Sequence, residues 1–184
     1  MEHNGGLGRN FVPVVWLTGL PAAGKSTLAL RLAEYLRAQG CPVEVLDGDE
    51  VRQHFSAGLG FRREDREAHN HRVIYVAGLL SKNGIIVIVP MISPYRDVRQ
   101  AARAGLPGYF EVHVHCPLEE CIRRDPKGLY RRALAGEVKN FTGIDDPYEE
   151  PLSPDVMVDT LATPVEECVK AIMEVLRSKL HPPN

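Results

Sequence analysis

The sequence predicts a three-layer α/β fold in which a mostly parallel, five-stranded sheet carries helices on both faces. Three observations predict it. Short apolar, β-branched runs alternate with stretches of helical periodicity along most of the chain. One run, Gly84 to Pro90 (GIIVIVP), is apolar on both faces, as a buried parallel strand is. The first run stops at a glycine-rich turn that leads straight into a helical segment, the order expected of a right-handed crossover unit.

Taken in order, Val12 to Thr18 reads as the first strand, and Lys25 to Ala38 as a helix with Leu28, Leu32 and Leu36 on one face. Val43 to Leu46 is a short second strand ending in an acidic turn, with a helix beginning near Glu50. The charged segment RREDREAHNHR continues into the apolar-periodic VIYVAGLL, which predicts one long helix with a polar front end. Gly84 to Pro90 is the third strand, Phe110 to His115 the fourth and Met157 to Asp159 a weak fifth. A helix follows from about Pro164 to Leu180, with proline in its first turn. Arg123 to Pro154 is polar, rich in Asp, Pro and Gly, and shows a short helical piece only at Leu129 to Ala135; it reads as a mobile lid. In such sheets ligands sit at the carboxyl ends of the strands.

A chain of 184 residues with 44% hydrophobic residues can bury one sizeable core, so residues 1–184 are expected to form a single domain, with 1–10 as a flexible tail and about 123–154 as the lid. The net charge of −2 argues against nucleic-acid binding by bulk electrostatics. An anionic ligand must therefore be met by locally placed cations. Cys41, Cys116, Cys121 and Cys168 form neither a CxxC pair nor a zinc-spaced cluster, which suits free thiols in a reducing cytosol. The start MEHNGGLGRN lacks the features of a signal peptide, and no apolar run reaches membrane-spanning length. A soluble, cytoplasmic protein without a membrane partner is expected.

Gly19-Leu20-Pro21-Ala22-Ala23-Gly24-Lys25-Ser26 fits GxxxxGK[ST] between a predicted strand and a predicted helix, the context of a P-loop. Such a loop, continuing into Thr27, turns backbone N–H groups onto the phosphates of ATP. Lys25 reaches the outer phosphates and Ser26 holds Mg²⁺. Asp47-Gly48-Asp49 brings two carboxylates to the neighbouring strand end, where one orients Mg²⁺ through water or takes a proton from the attacking hydroxyl; the same residues would also serve as an ordinary helix-capping turn. Arg52, Arg62, Arg63, Arg66 and Arg72 cluster within about twenty residues, and Arg96 and Arg99 follow the third strand. Arginine suits bidentate capture of phosphate or sulfate, although most arginines on a polar helix face are simply solvated.

Read together after GLPAAGKST, the segments DGDEVR, LGFRREDR, ISPYR, DPKGLY and FTGIDDPYE resemble adenylyl-sulfate kinase, from about Val14 to the final helix. The resemblance implies transfer of the ATP γ-phosphoryl group to the 3′-hydroxyl of adenosine 5′-phosphosulfate (adenylyl sulfate), with ATP and Mg²⁺ as cofactors, and a homodimer. It implies that Asp47 is the Mg²⁺-organising or proton-accepting carboxylate, with Asp49 and Arg52 on the substrate side. Phe61 and Phe141 would sandwich the substrate adenine, Arg66 would grip the phosphosulfate, and Ile92, Ser93, Pro94 and Tyr95 would line the nucleoside. Lys127, followed by Gly128 and Leu129, would neutralise charge near the transferring phosphoryl group. The two phenylalanines lie in polar segments, where a core anchor is less expected than a ligand contact.

The chain departs from the family pattern at His69, where asparagine is common, with Asn70 next in sequence; the substrate contact falls to one or the other. Arg62 stands where serine is favoured. His113 and His115 share a strand face, as a metal-binding pair or as a packed one. Ser93 has no activating His and acid pair in any recognisable motif, so a covalent intermediate on it is not expected. Two rivals remain: a kinase of another nucleotide or small metabolite, which would lack the Phe61, Phe141 and ISPYR set, and a non-catalytic nucleotide sensor, which should have lost one of Lys25, Ser26, Asp47 and Lys127.

Overall fold

Val14–Thr18 form β1, and all five side chains are completely buried, because this strand lies at the centre of the sheet. In this computed structural model, residues 12–180 are described, with side chains for 12–178; the proposed tail at 1–10 lies outside the described residues. The chain continues through α1 (Lys25–Ala38), β2 (Val43–Val45), α2 (Gly48–Phe55), α3 (Arg63–Ser81), β3 (Ile86–Pro90) and α4 (Arg96–Gly105). It then forms β4 (Tyr109–His115), α5 (Leu118–Arg124), α6 (Leu129–Leu134), β5 (Val156–Asp159) and α7 (Val165–Leu180). The five strands pair in the order β2-β3-β1-β4-β5, and every pairing is parallel. With helices on both faces, this is the P-loop three-layer fold.

The pleat of β1 divides the core. Val15 and Leu17 point to the side covered by α1 and α7, where they join Leu28, Leu32, Ile172 and Leu176. Val14 and Trp16 point to the other side, with Val73 and Ala77 of α3 and Ala102 of α4. Each face is apolar because neither meets water, which is why β3 reads as a continuous apolar run.

Two helices, α4 and α5, lie where the sequence showed no clear helical pattern. In α4 only Val98, Arg99 and Ala102 are buried, and in α5 only Cys121, so neither carries a wide apolar stripe. The segment around 123–154 also differs from the expectation of few apolar anchors. Tyr130, Ala133 and Phe141 are buried in the main core, and the Tyr130 hydroxyl donates to the Pro21 carbonyl at 3.1 Å.

Candidate active site

The loop between β1 and α1 depends on two glycines. A Cβ on Gly19 would lie 2.3 Å from the Val114 carbonyl oxygen, so only glycine lets the chain leave β1 alongside β4. Gly24 caps α1 at φ 95°, a left-handed conformation that β-carbon-bearing residues rarely adopt. No side chain caps α1 and no acidic residue sits in its first turn, so the helix start keeps its donors and its partial positive charge.

Lys25 is buried, and its Nζ donates to the carbonyls of Gly19 at 2.9 Å and Leu20 at 2.7 Å. Burial pushes its pKa down to about 8, against the opposing pull of Cys121, Asp49 and Asp47. Next to it, the Ser26 hydroxyl donates to Asp47 Oδ2 at 3.2 Å. The other oxygen of Asp47 accepts the Asp49 N–H at 2.9 Å and so caps α2. The capping and functional readings of this carboxylate are therefore compatible, one oxygen for each. Asp49 is ion-paired with Lys127, and that hydrogen bond raises the lysine's pKa.

The polar front of α3 holds the loops around it. The Arg66 guanidinium donates to the Phe61 carbonyl at 2.9 Å and to the Asn140 carbonyl at 2.6 Å, which ties together the segments carrying Phe61 and Phe141. Arg52 donates to the Gly60 carbonyl at 2.9 Å and lies 5.0 Å from the Phe61 ring centroid. Arg66 thus spends two donors on loop carbonyls and, lining the cavity, keeps others for an anion such as the phosphosulfate expected from the sequence.

His69 and Asn70 part company. Asn70 is anchored on both sides: its amide donates to the Arg66 carbonyl at 2.7 Å and accepts from Ser93 Oγ at 2.8 Å, which leaves one N–H unused. Ser93 Oγ in turn accepts from Trp16 Nε1 at 3.0 Å, so this hydroxyl is a structural link and not a nucleophile. His69 Nδ1 bonds Ser56 Oγ at 2.8 Å, while its buried Nε2 has no hydrogen-bond partner. Burial, helped by Arg52, pushes its pKa down to about 4, with the Gly48 backbone opposing only in part. His69 is therefore a neutral imidazole, enclosed near the Gly48 backbone.

One cavity of about 850 Å³ collects most of these groups. Pro21, Ala22, Gly24, Lys25, Ser26 and Thr27 line it from the P-loop, and Asp47, Asp49 and Arg52 from the second strand end and α2. Phe61, Arg66, His69 and Asn70 come from the third region, Ile92, Ser93 and Pro94 from the β3 end, and Lys127, Leu129 and Phe141 from the covering segment.

Gly19, Leu20, Ala23, Tyr95 and Gly128 are not part of the wall. Gly19 and Leu20 supply carbonyls to Lys25, and the Ala23 carbonyl accepts from Thr160 Oγ1 at 2.8 Å. Gly128 caps α6 at φ 65°. Tyr95 is buried behind the wall, where its hydroxyl donates to Asp146 at 2.9 Å. The two aromatics also differ. Phe61 is 53% exposed, whereas Phe141 is only 8% exposed and packs edge-on against Tyr130 with centroids 5.0 Å apart. Phe141 is thus a core anchor as well as a wall residue, contrary to the expectation from its polar neighbours.

Sequence reasoning missed Arg124, Arg132 and Lys139, which also line the cavity. Arg124 is fixed by Glu120 at 2.7 Å and by Thr160, whose carbonyl it meets at 2.8 Å. The available signal was the density of basic residues from Arg123 to Lys139, read only as polarity. Counting them, the wall holds seven cations (Lys25, Arg52, Arg66, Arg124, Lys127, Arg132 and Lys139) against three carboxylates (Asp47, Asp49 and Asp125). In a chain of net charge −2, that local excess suits a polyanionic ligand.

The family model described as adenylylsulphate kinase matches residues 12–159. An adenylyl-sulfate kinase of Picosynechococcus is 49% identical over 176 residues, covering 96% of each chain. A Mycobacterium tuberculosis APS kinase, solved in complex with AMPPNP and APS, superposes with a TM-score of 0.88 at 40% identity, covering 91% of this chain and 98% of that one. A hexameric APS kinase from Thiobacillus denitrificans superposes with a TM-score of 0.69 at 33% identity, over 93% of this chain and 30% of that one.

Proposed function

The chain belongs to the adenylyl-sulfate kinase family, and from that premise we propose that it transfers the γ-phosphoryl group of ATP to the 3′-hydroxyl of adenosine 5′-phosphosulfate, giving 3′-phosphoadenylyl sulfate and ADP. The observation that carries the proposal is the single cavity that joins the P-loop to the segments bearing Phe61 and Phe141, with cations in excess along its wall.

In the proposed reaction the 3′-hydroxyl oxygen attacks the γ-phosphorus in line, the bond to the β-phosphate oxygen breaks, ADP leaves with the electron pair, and the hydroxyl proton passes to water. Lys25 and the start of α1 hold the ATP phosphates. Lys127, with Arg124 and Arg132 beside it in the wall, meets charge that shifts towards the leaving oxygen. Phe61 offers an exposed face to the acceptor's adenine, and the Phe141 side of the cavity completes the slot. Either His69 Nε2, which has no hydrogen-bond partner, or the remaining amide N–H of Asn70 meets the acceptor.

The Ser26 hydroxyl and the Asp47 carboxylate, 3.2 Å apart beside the P-loop, are a hard oxygen pair of the kind that fits Mg²⁺ with its remaining waters. Mg²⁺ held there would neutralise phosphate charge. With one oxygen capping α2 and the other facing Ser26, Asp47 suits the metal-organising role better than that of general base.

Among the described residues no helix is long and apolar enough to cross a membrane. A cytoplasmic location and a homodimer are parts of the same proposal and rest on family membership; light scattering of the purified chain tests the dimer. The reaction is tested by incubating the enzyme with ATP, Mg²⁺ and adenosine 5′-phosphosulfate and locating the new phosphomonoester by phosphorus NMR. Attachment at the 3′-oxygen is expected, and attachment elsewhere would refute the assignment.

A further inference from the structure

Away from the cavity, His113 and His115 occupy alternate positions of β4 and so share one face of the sheet. Val112 and Val114 take the other face, in the core under α1 and α7. The two imidazoles therefore lie on the α3 and α4 side, next to Tyr148 and Glu150 of the segment that runs from the Phe141 loop to β5. The ring of His113 lies 5.8 Å from that of His115 and 6.2 Å from that of Tyr148.

His113 is only 5% exposed, yet its imidazole makes no hydrogen bond among the described residues. Its ring nitrogens still touch solvent and so are open to a ligand, since among the described residues the buried side-chain nitrogens and oxygens without a partner are His69 Nε2 and Thr142 Oγ1. One ring nitrogen from each histidine and one carboxylate oxygen of Glu150 lie within 4.8 Å of one another.

The other acids nearby are already committed. Glu111 pairs with Arg99 at 3.1 Å and Arg103 at 3.2 Å, which also neutralises the buried Arg99. Asp159 lies beside His115 in the β4–β5 register, but its carboxylate accepts the N–H groups of Leu161 at 2.8 Å and Ala162 at 3.1 Å. The carboxylate of Glu150 has neither a hydrogen bond nor an ion pair among the described residues, and its side chain is exposed.

The geometry points to a divalent metal site formed by His113, His115 and Glu150, with zinc as the ion that two imidazoles and one carboxylate suit best. A tetrahedral zinc site with bonds of roughly 2.0–2.1 Å needs donors about 3.4 Å apart. With donor atoms up to 4.8 Å apart, the cluster must contract by as much as about 1.4 Å, and a rotamer change of the exposed Glu150 side chain supplies part of that movement. The backbone around it is already in position. Arg96 donates through its N–H to the Glu149 side chain and through Nε to the Glu150 carbonyl, both at 2.8 Å, and Tyr148 meets Thr18 Oγ1 at 2.9 Å. Zinc at this point would clamp the segment that follows Phe141 to β4, with water in the fourth position.

The test is a zinc titration of tag-free enzyme against a chromophoric chelator, with Mg²⁺ in excess to occupy the Ser26 and Asp47 position. His115→Ala and Glu150→Gln are titrated in parallel, after melting curves confirm that both variants fold. One tight equivalent is expected in the parent chain, weakened about tenfold or more in each variant. Cobalt substituted for zinc should give visible bands of a tetrahedral nitrogen and oxygen site without thiolate charge transfer. Absence of tight binding, binding that neither variant weakens, or a thiolate band that assigns the metal to the cysteines would each overturn the site.

Discussion

The ammonium of Lys127 is ion-paired with the carboxylate of Asp49, and this contact joins the segment between α5 and α6 to the first turn of α2 at the cavity wall. Both side chains are largely exposed, at 65% and 70%, so the pair contributes at most about 1 kcal/mol to stability. Its value is positional, since it holds a cation next to Asp47 and the P-loop. Lys127→Ala is expected to lower kcat about 100-fold while shifting the melting temperature by no more than about 2 °C. Steady-state kinetics beside a thermal melt check both halves.

Lys25→Ala is expected to abolish turnover and leave the fold intact, because it removes charge from the phosphate site and no core packing. A pH effect accompanies it. With its pKa lowered to about 8, the free enzyme's Lys25 is mostly neutral at about pH 9, and ATP binding must restore its charge. Nucleotide binding should therefore take up a proton above pH 8 and weaken as pH rises, with little proton uptake at about pH 7. Titration calorimetry in buffers of different ionisation enthalpy measures that uptake directly.

The two phenylalanines should separate binding from stability. Phe61 is half exposed, so Phe61→Ala is expected to raise KM for adenylyl sulfate more than KM for ATP, at little cost in stability. Phe141 is buried against Tyr130, so Phe141→Ala should also destabilise the fold, by about 3–5 kcal/mol as for other buried phenylalanines. Denaturant titration of both variants distinguishes the roles.

His69 titrates at about 4 in the folded chain and near 6.5 when unfolded. Between those values the unfolded state binds the proton, so stability contributed by the neutral ring is present above about pH 6.5 and is lost as pH falls towards 4. His69→Asn should flatten this acid loss and retain more adenylyl sulfate affinity than His69→Ala, since its amide can still offer a polar atom to the cavity. Melting curves from about pH 4 to 7 and acceptor KM values test the pair.

Much of this was legible from local chemistry. The P-loop announces itself because its glycines are required by Gly24's left-handed backbone and by the 2.3 Å approach that Gly19 permits. β1, β3 and α1 are apolar in the periods their burial demands. Tertiary context hid the rest. The strand order depends on crossovers that no single segment encodes, and α4 buries too few apolar side chains to show a stripe. Phe141 looks like a loop residue among Asn140 and Thr142, and only Tyr130, eleven residues earlier, makes it part of the core. The anchoring of Asn70 by Ser93 and of His69 by Ser56 depends on contacts across the fold that two adjacent positions in sequence do not reveal.

The most direct test of the central claim is Mg²⁺-dependent ADP release from ATP, measured with adenylyl sulfate, AMP, adenosine or no acceptor. Release with adenylyl sulfate alone is the predicted result. Release with AMP or adenosine instead would keep a P-loop kinase and discard its acceptor, and silence with every acceptor despite ATP binding would contradict the enzyme itself.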